Sequence, residues 1–121
     1  MANSTILVVD DSPTELKIVT GALKNGGYRI VTAADGEEAL LKAAQEKPDL
    51  MLLDVVLPKK NGFVVCRELK KAPETKDIKI ILLTSKNQDS DRFWGMKQGA
   101  DAYMTKPVAE AELLASVRGF L

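Results

Sequence analysis

Histidine is absent from these 121 residues, and cysteine occurs once, at Cys66. No internal disulfide is available, and the usual thiol and imidazole machinery is missing. Cys66 lies in an apolar, helix-like run and reads as a packed small hydrophobe rather than a nucleophile. A surplus of either charge is missing too: Lys plus Arg and Asp plus Glu both total 17, so the net charge is zero. That balance argues against bulk attraction to nucleic acid or to an anionic membrane surface. The longest apolar runs are a few residues, far short of a membrane span. Met1 to Thr5 has neither the basic start nor the apolar core of a secretory signal. The expectation is a cytoplasmic protein that contacts no nucleic acid and inserts in no membrane.

What is present suits one globular domain. The chain is 45% apolar and 28% charged, and its length supports a single core with no space for a second. It contains no internal repeat, low-complexity stretch or interdomain linker. The stretch Asp49 to Gly62, DLMLLDVVLPKKNG, organises the rest. Its apolar run Leu50 to Leu53 stops abruptly at Asp54, and Pro58 and Gly62 punctuate the loop that follows. Such a run, bounded by turn signals, reads as a strand buried on both faces. Asp54 then stands at the carboxyl tip of that strand, where open parallel sheets bind ligands.

Four more strands are expected: Ile6 to Val9, Tyr28 to Ala33, Ile78 to Leu83 and Ala102 to Met104. Helices alternate with them. Ser12-Pro13-Thr14-Glu15 has capping-box spacing with proline at the first helical position, and Asn25-Gly26-Gly27 closes that helix. Asp35 and Glu38 repeat the cap, and the second helix ends at Lys47-Pro48. The remaining helices are expected over Asn61 to Lys71, near Asp91 to Gln98, and over Ala109 to Phe120. Five strands alternating with five helices, each crossover long enough for a parallel connection, make a doubly wound α/β sheet.

In a parallel sheet, polar groups from four strands gather at one edge: Asp10 and Asp11, Asp54, Thr84 and Lys106. Three carboxylates in one crevice repel each other unless a cation joins them. A hard divalent ion answers that need, and magnesium favours one or two carboxylates plus waters and a phosphate. A lysine and a hydroxyl nearby complete a cradle for phosphoryl oxygens, and a carboxylate can itself be the nucleophile that takes the group. Taken singly, each has an ordinary reading: Asp10 and Asp11 as solvated acids near a helix N-terminus, Asp54 as a turn residue, Thr84 as a strand-end hydroxyl, Lys106 as a surface lysine. Their coincidence on one edge is what points to chemistry.

From ILVVDDS through LLDVVLPKKNG and ILLTS to MTKPV, the whole chain resembles the receiver domains of two-component response regulators. That resemblance implies a flavodoxin-like fold with five parallel strands in the order 2-1-3-4-5. It implies that Asp54 accepts a phosphoryl group from a histidine kinase. Magnesium would be held by Asp11, Asp54 and the Val56 carbonyl, with Asp10 helping through a water. Thr84 would swing to the phosphoryl group, Lys106 would pair with it, and Lys106-Pro107 would be a candidate cis peptide. Tyr103 would move inward as Thr84 closes. The fourth helix, fifth strand and fifth helix would form the output face, including Phe93, Trp94, Met96 and Tyr103. Val56 and Lys86 occupy positions that tune dephosphorylation; an apolar Val56 cannot orient water, so hydrolysis that is not especially fast is expected.

SDRFWGMKQGADAYMTKPV, with SPTELK, is similar to single-domain regulators of type IV pilus twitching motility and phototaxis. A flagellar chemotaxis regulator is the alternative within the family. Leu121 ends the last helix, so residues 1–121 are expected to be a stand-alone receiver, a monomer or weak dimer without an output domain, acting by protein contact. Two other classes remain: a magnesium-dependent phosphohydrolase with an aspartyl intermediate, and a non-phosphorylated scaffold. The first would want a carboxylate where Val56 stands, and the second would have shed an acid or Lys106.

Overall fold

A computed structural model describes residues 4–121. The strands are β1 (Thr5–Val9), β2 (Arg29–Ala33), β3 (Leu50–Leu53), β4 (Lys79–Thr84) and β5 (Ala102–Thr105). The helices are α1 (Pro13–Lys24), α2 (Gly36–Glu46), α3 (Gly62–Lys71), α4 (Asp89–Lys97) and α5 (Glu110–Phe120). All strands pair in parallel, in the order β2-β1-β3-β4-β5. The expected α/β architecture and strand order are therefore those observed.

Alternation along the strands assigns each apolar side chain to one of two cores. Leu7, Val9, Met51, Leu53, Ile80 and Leu82 face α2 and α3, meeting Ala39, Ala43, Val65, Cys66 and Leu69. Ile6, Val8, Leu50, Leu52, Ile81 and Leu83 face α1 and α5, meeting Val19, Leu23, Leu113 and Val117. Burial on both faces is why β3 and β4 are continuous apolar runs. Each such Leu or Ile contributes about 1.5–3 kcal/mol by leaving water.

The helix starts follow local chemistry. Ser12 Oγ accepts from the Glu15 amide at 3.2 Å, Asp35 Oδ1 from Glu38 at 2.8 Å, and Asn61 Oδ1 from Val64 at 3.0 Å. α4 begins two residues before its expected start at Asp91. Asp91 is the third helical residue, and its carboxylate reaches back to the Gln88 amide at 3.2 Å. β4 runs one residue further than expected, through Thr84, which pairs with Thr105. No helix among the described residues is long and apolar enough to cross a membrane.

Cys66 is fully buried, with Sγ 3.7 Å from the Gln98 carbonyl, and burial pushes its thiol up to about 11. Two units above the ordinary value of 9.0 leave about 100-fold less thiolate near pH 8. Native protein is expected to react with a thiol reagent at least that much more slowly than protein unfolded in urea. The folded chain holds this proton more tightly than the unfolded one. Its contribution to stability is complete below pH 9 and is lost as pH rises towards 11. Equal labelling rates in native and unfolded protein would contradict this burial.

Candidate phosphoacceptor site

β1 lies between β2 and β3, so the chain leaves it through α1 towards the edge strand β2, while the central strand β3 lies on its other side. This reversal opens a crevice beyond the carboxyl ends of β1 and β3. Asp10 and Asp54 follow those two strands directly. Their backbone amides continue the sheet pairing, Asp10 to the Ala33 carbonyl and Asp54 to the Val9 carbonyl, both at 3.1 Å. Each carboxylate is then fixed by the turn after it. Asp10 Oδ1 accepts from the Ser12 amide at 3.0 Å, and Asp54 Oδ1 from the Val56 amide at 3.1 Å. The second oxygen of each points to the same cation. Lys106 Nζ donates to Asp54 Oδ2 at 3.0 Å and to Asp10 Oδ2 in a short contact.

Lys106 reaches this place because its amide donates to the Thr84 carbonyl at 2.9 Å, extending β5 along β4. The following bond, to Pro107, is cis, as expected. Burial alone would lower the pKa of Lys106. Hydrogen bonds to Asp10 and Asp54 outweigh that effect, and the net direction is up. The joining cation anticipated for the acids is thus, in part, this lysine. Gly62 fixes the backbone beneath: its amide donates to the Val55 carbonyl at 2.8 Å, and a Cβ there would stand 2.1 Å from the Asp54 carbonyl oxygen.

These groups line a cleft of about 570 Å³ that continues from the acids over an apolar wall of Ile18, Val19, Leu83 and Val108. Asp11 is exposed at its rim and Val56 lines it, more than half exposed. The expected gathering of Asp10, Asp11, Asp54 and Lys106 is thus in place. Thr84 is placed differently. It is fully buried, does not line the cleft, and its Oγ1 accepts from the Lys86 amide at 3.4 Å. Ser85 lines the cleft in its place. The reason is strand parity: Thr84 shares a face with Ile80 and Leu82, while Ser85 follows Ile81 and Leu83 towards α1 and α5. Ser85, Ile18 and Val108 were not singled out by the sequence reading, although that two-residue period carried the signal for Ser85.

The donor set suits a hard cation. Carboxylates of Asp10, Asp11 and Asp54 share the cleft with Val56, and all offer oxygen. As the side chains stand, no three acids among the described residues close on one point. An ion that keeps several waters and takes only one or two carboxylates fits that spread.

Phe93, Trp94 and Met96 on α4 are exposed, at 63%, 50% and 46%. Tyr103 does not stand with them. It is buried at 7%, and its hydroxyl donates to the Lys86 carbonyl at 2.8 Å.

Residues 6–118 match the family model described as the response regulator receiver domain. The chain is a receiver domain of the response regulator family. The receiver is 45% identical to Protein PilH of Pseudomonas aeruginosa, across 96% of each chain. It is 44% identical to the alkaline phosphatase synthesis transcriptional regulatory protein PhoP of Bacillus subtilis, spanning 98% of its own length but 49% of that protein. Among solved structures, a response regulator from Chloroflexus aurantiacus superposes with a TM-score of 0.94, at 34% identity over 98% of both chains. The receiver domain of a Pseudomonas aeruginosa sensor histidine kinase, described with magnesium coordinated in its active site cleft, gives 0.91 at 30% identity over 98% of both chains.

Proposed function

We propose that this receiver takes a phosphoryl group onto Asp54 from the phosphohistidine of a histidine kinase, in a magnesium-dependent reaction. The observation that carries the reading is the pairing of Asp10 and Asp54 through Lys106 at the sheet's reversal point. In the transfer, an Asp54 carboxylate oxygen forms a bond to phosphorus as the phosphorus–nitrogen bond breaks, and the imidazole leaves with the electron pair. Asp10, Asp11, Asp54 and the Val56 carbonyl would hold the ion, which supplies charge for the equatorial oxygens. Lys106 loses an Asp54 oxygen as partner when that oxygen is phosphorylated and gains a phosphoryl oxygen, so its charge stays neutralised. Ser85 and, after a change of the Thr84–Lys86 backbone, Thr84 can offer hydroxyls to the same group. The chain catalyses only its own phosphorylation and dephosphorylation.

The resemblance to PilH favours a part in type IV pilus or chemotaxis-like motility control, with an output made by protein contact. Exposed Phe93, Trp94 and Met96 place a large apolar surface on α4 for such a partner. A cytoplasmic site of action follows from the proposed phosphodonor.

Incubation with acetyl phosphate and magnesium, followed by intact mass measurement, tests the reading. One phosphoryl adduct is expected, absent without magnesium and absent in Asp54→Ala. An adduct of equal yield in Asp54→Ala would reject it.

A further inference from the structure

The inward position of Tyr103 is held from α4. A methyl group at Gly95 would lie 2.9 Å from Cδ2 and 3.1 Å from Cε2 of the Tyr103 ring, and 2.8 Å from Leu82 Cδ1. Carbon atoms do not approach that closely, so the ring occupies the space that glycine leaves. Gly95 is also the only buried residue of α4, a nine-residue helix that alanine would favour at this position. Three residues earlier, the Arg92 guanidinium carbon lies 5.3 Å from the centroid of the same ring. Arg92 Nη1 donates to the Tyr103 carbonyl at 3.1 Å, tying α4 to β5. Burial and the nearby Asp91 push the phenol's pKa above its usual value, in keeping with an enclosed hydroxyl.

We propose that Gly95 and Arg92 are positioning residues that make the inward Tyr103 the resting state of this chain. None of their contacts involves Asp54 or its partners, so the ring needs no phosphoryl group to hold it. On the phosphoacceptor reading, this alters what the switch must move. Lys86 is gripped twice, its carbonyl by the Tyr103 hydroxyl and its amide by Thr84 Oγ1 at 3.4 Å. With the ring already seated, the part left to change is the backbone between Thr84 and Lys86, and with it the start of α4.

The position of the ring can be read with 3-fluorotyrosine in a full chain carrying Tyr28→Phe, so that Tyr103 gives the fluorine signal alone. Without phosphodonor, the expected resonance lies away from that of the free amino acid. Gly95→Ala is expected to move it to the free position, and Arg92→Gln to move it part of the way. A resonance at the free position in the parent chain, or one unmoved by both substitutions, overturns the proposal. Stability supplies the second arm, which holds even if one variant folds poorly. Gly95→Ala should lower the melting temperature by a few degrees when Tyr103 is present. It should lower it by clearly less in a Tyr103→Leu chain, where the ring contacts are gone and only Leu82 Cδ1, at 2.8 Å, still meets the added methyl while helix propensity favours alanine. An equal loss in both backgrounds overturns the slot. Neither arm uses phosphorylation, so failure of the acetyl phosphate experiment would reject the phosphoacceptor reading and leave this result standing.

Discussion

Gly62→Ala is expected to lower the unfolding free energy by about 3 kcal/mol, at the upper end of overpacking costs, and to slow phosphorylation by acetyl phosphate more than tenfold. The added Cβ would lie 2.1 Å from the Asp54 carbonyl oxygen and 2.8 Å from Val55 Cα. Both obstacles are backbone, so no rotamer change relieves them. The alternatives are to push β3 back or to swing the start of α3 outward. Either breaks the 2.8 Å bond from the Gly62 amide to the Val55 carbonyl and re-aims the Asp54 carboxylate. Helix propensity works the other way, since alanine is the better residue near a helix start, so a net loss isolates the clash. Urea unfolding together with adduct formation over time measures both effects. A variant as stable and as fast as the parent would mean that the loop adjusts freely and that Gly62 does not position the acceptor.

Lys106→Met is expected to cost about 2–3 kcal/mol in chelator and to become the form whose stability responds most to magnesium. The substitution keeps the length of the side chain and removes the charge shared by Asp10 and Asp54, whose side chains are only 7% and 11% exposed. Removing one partner of a fully buried ion pair costs roughly 3–5 kcal/mol, and the open cleft reduces this figure. A divalent ion can then take the place that Lys106 Nζ holds against both acids, so magnesium should raise the melting temperature of the variant more than that of the parent. The alkaline limb follows from the sign of the shift. Lys106 has its pKa raised by folding, so its stabilisation is complete below the free-lysine value and is lost as pH rises through the folded one. The gap between parent and variant should narrow there. A variant as stable as the parent in chelator, at neutral pH, would show that Lys106 is not the counter-ion of the two acids.

How much of this was legible in the residues depends on whether the deciding contact was local. The continuous apolar runs at β3 and β4, the capping oxygens of Ser12, Asp35 and Asn61, and the acids immediately after β1 and β3 all declare themselves within a few positions. That is why the α/β fold and the gathering of polar groups at one sheet edge were available early, while the strand order came only with the family resemblance. The direction of the Thr84 side chain turns on a finer point. Its position at the end of β4 was right, but strand alternation turns it towards the α3 side and gives the cleft to Ser85. Tyr103 was grouped with Phe93, Trp94 and Met96 as part of one aromatic face. A Cβ at Gly95, eight positions away on another element, would stand 2.9 Å from the Tyr103 ring, and an absent atom leaves no periodic mark. The role of Lys106 as a bridge between two carboxylates depends on side-chain reach across β1, β3 and β5, a distance that spacing along the chain does not encode.

On the proposed reading one side chain, Asp54, carries the phosphoryl group. An acyl phosphate is reduced by borohydride to the alcohol, which marks the acceptor permanently. Protein treated with acetyl phosphate and magnesium, reduced and then mapped by peptide mass spectrometry should carry homoserine at position 54 and unaltered aspartate at positions 10 and 11. Homoserine at either of those positions, or none at 54 in protein whose intact mass showed the adduct, would contradict the account.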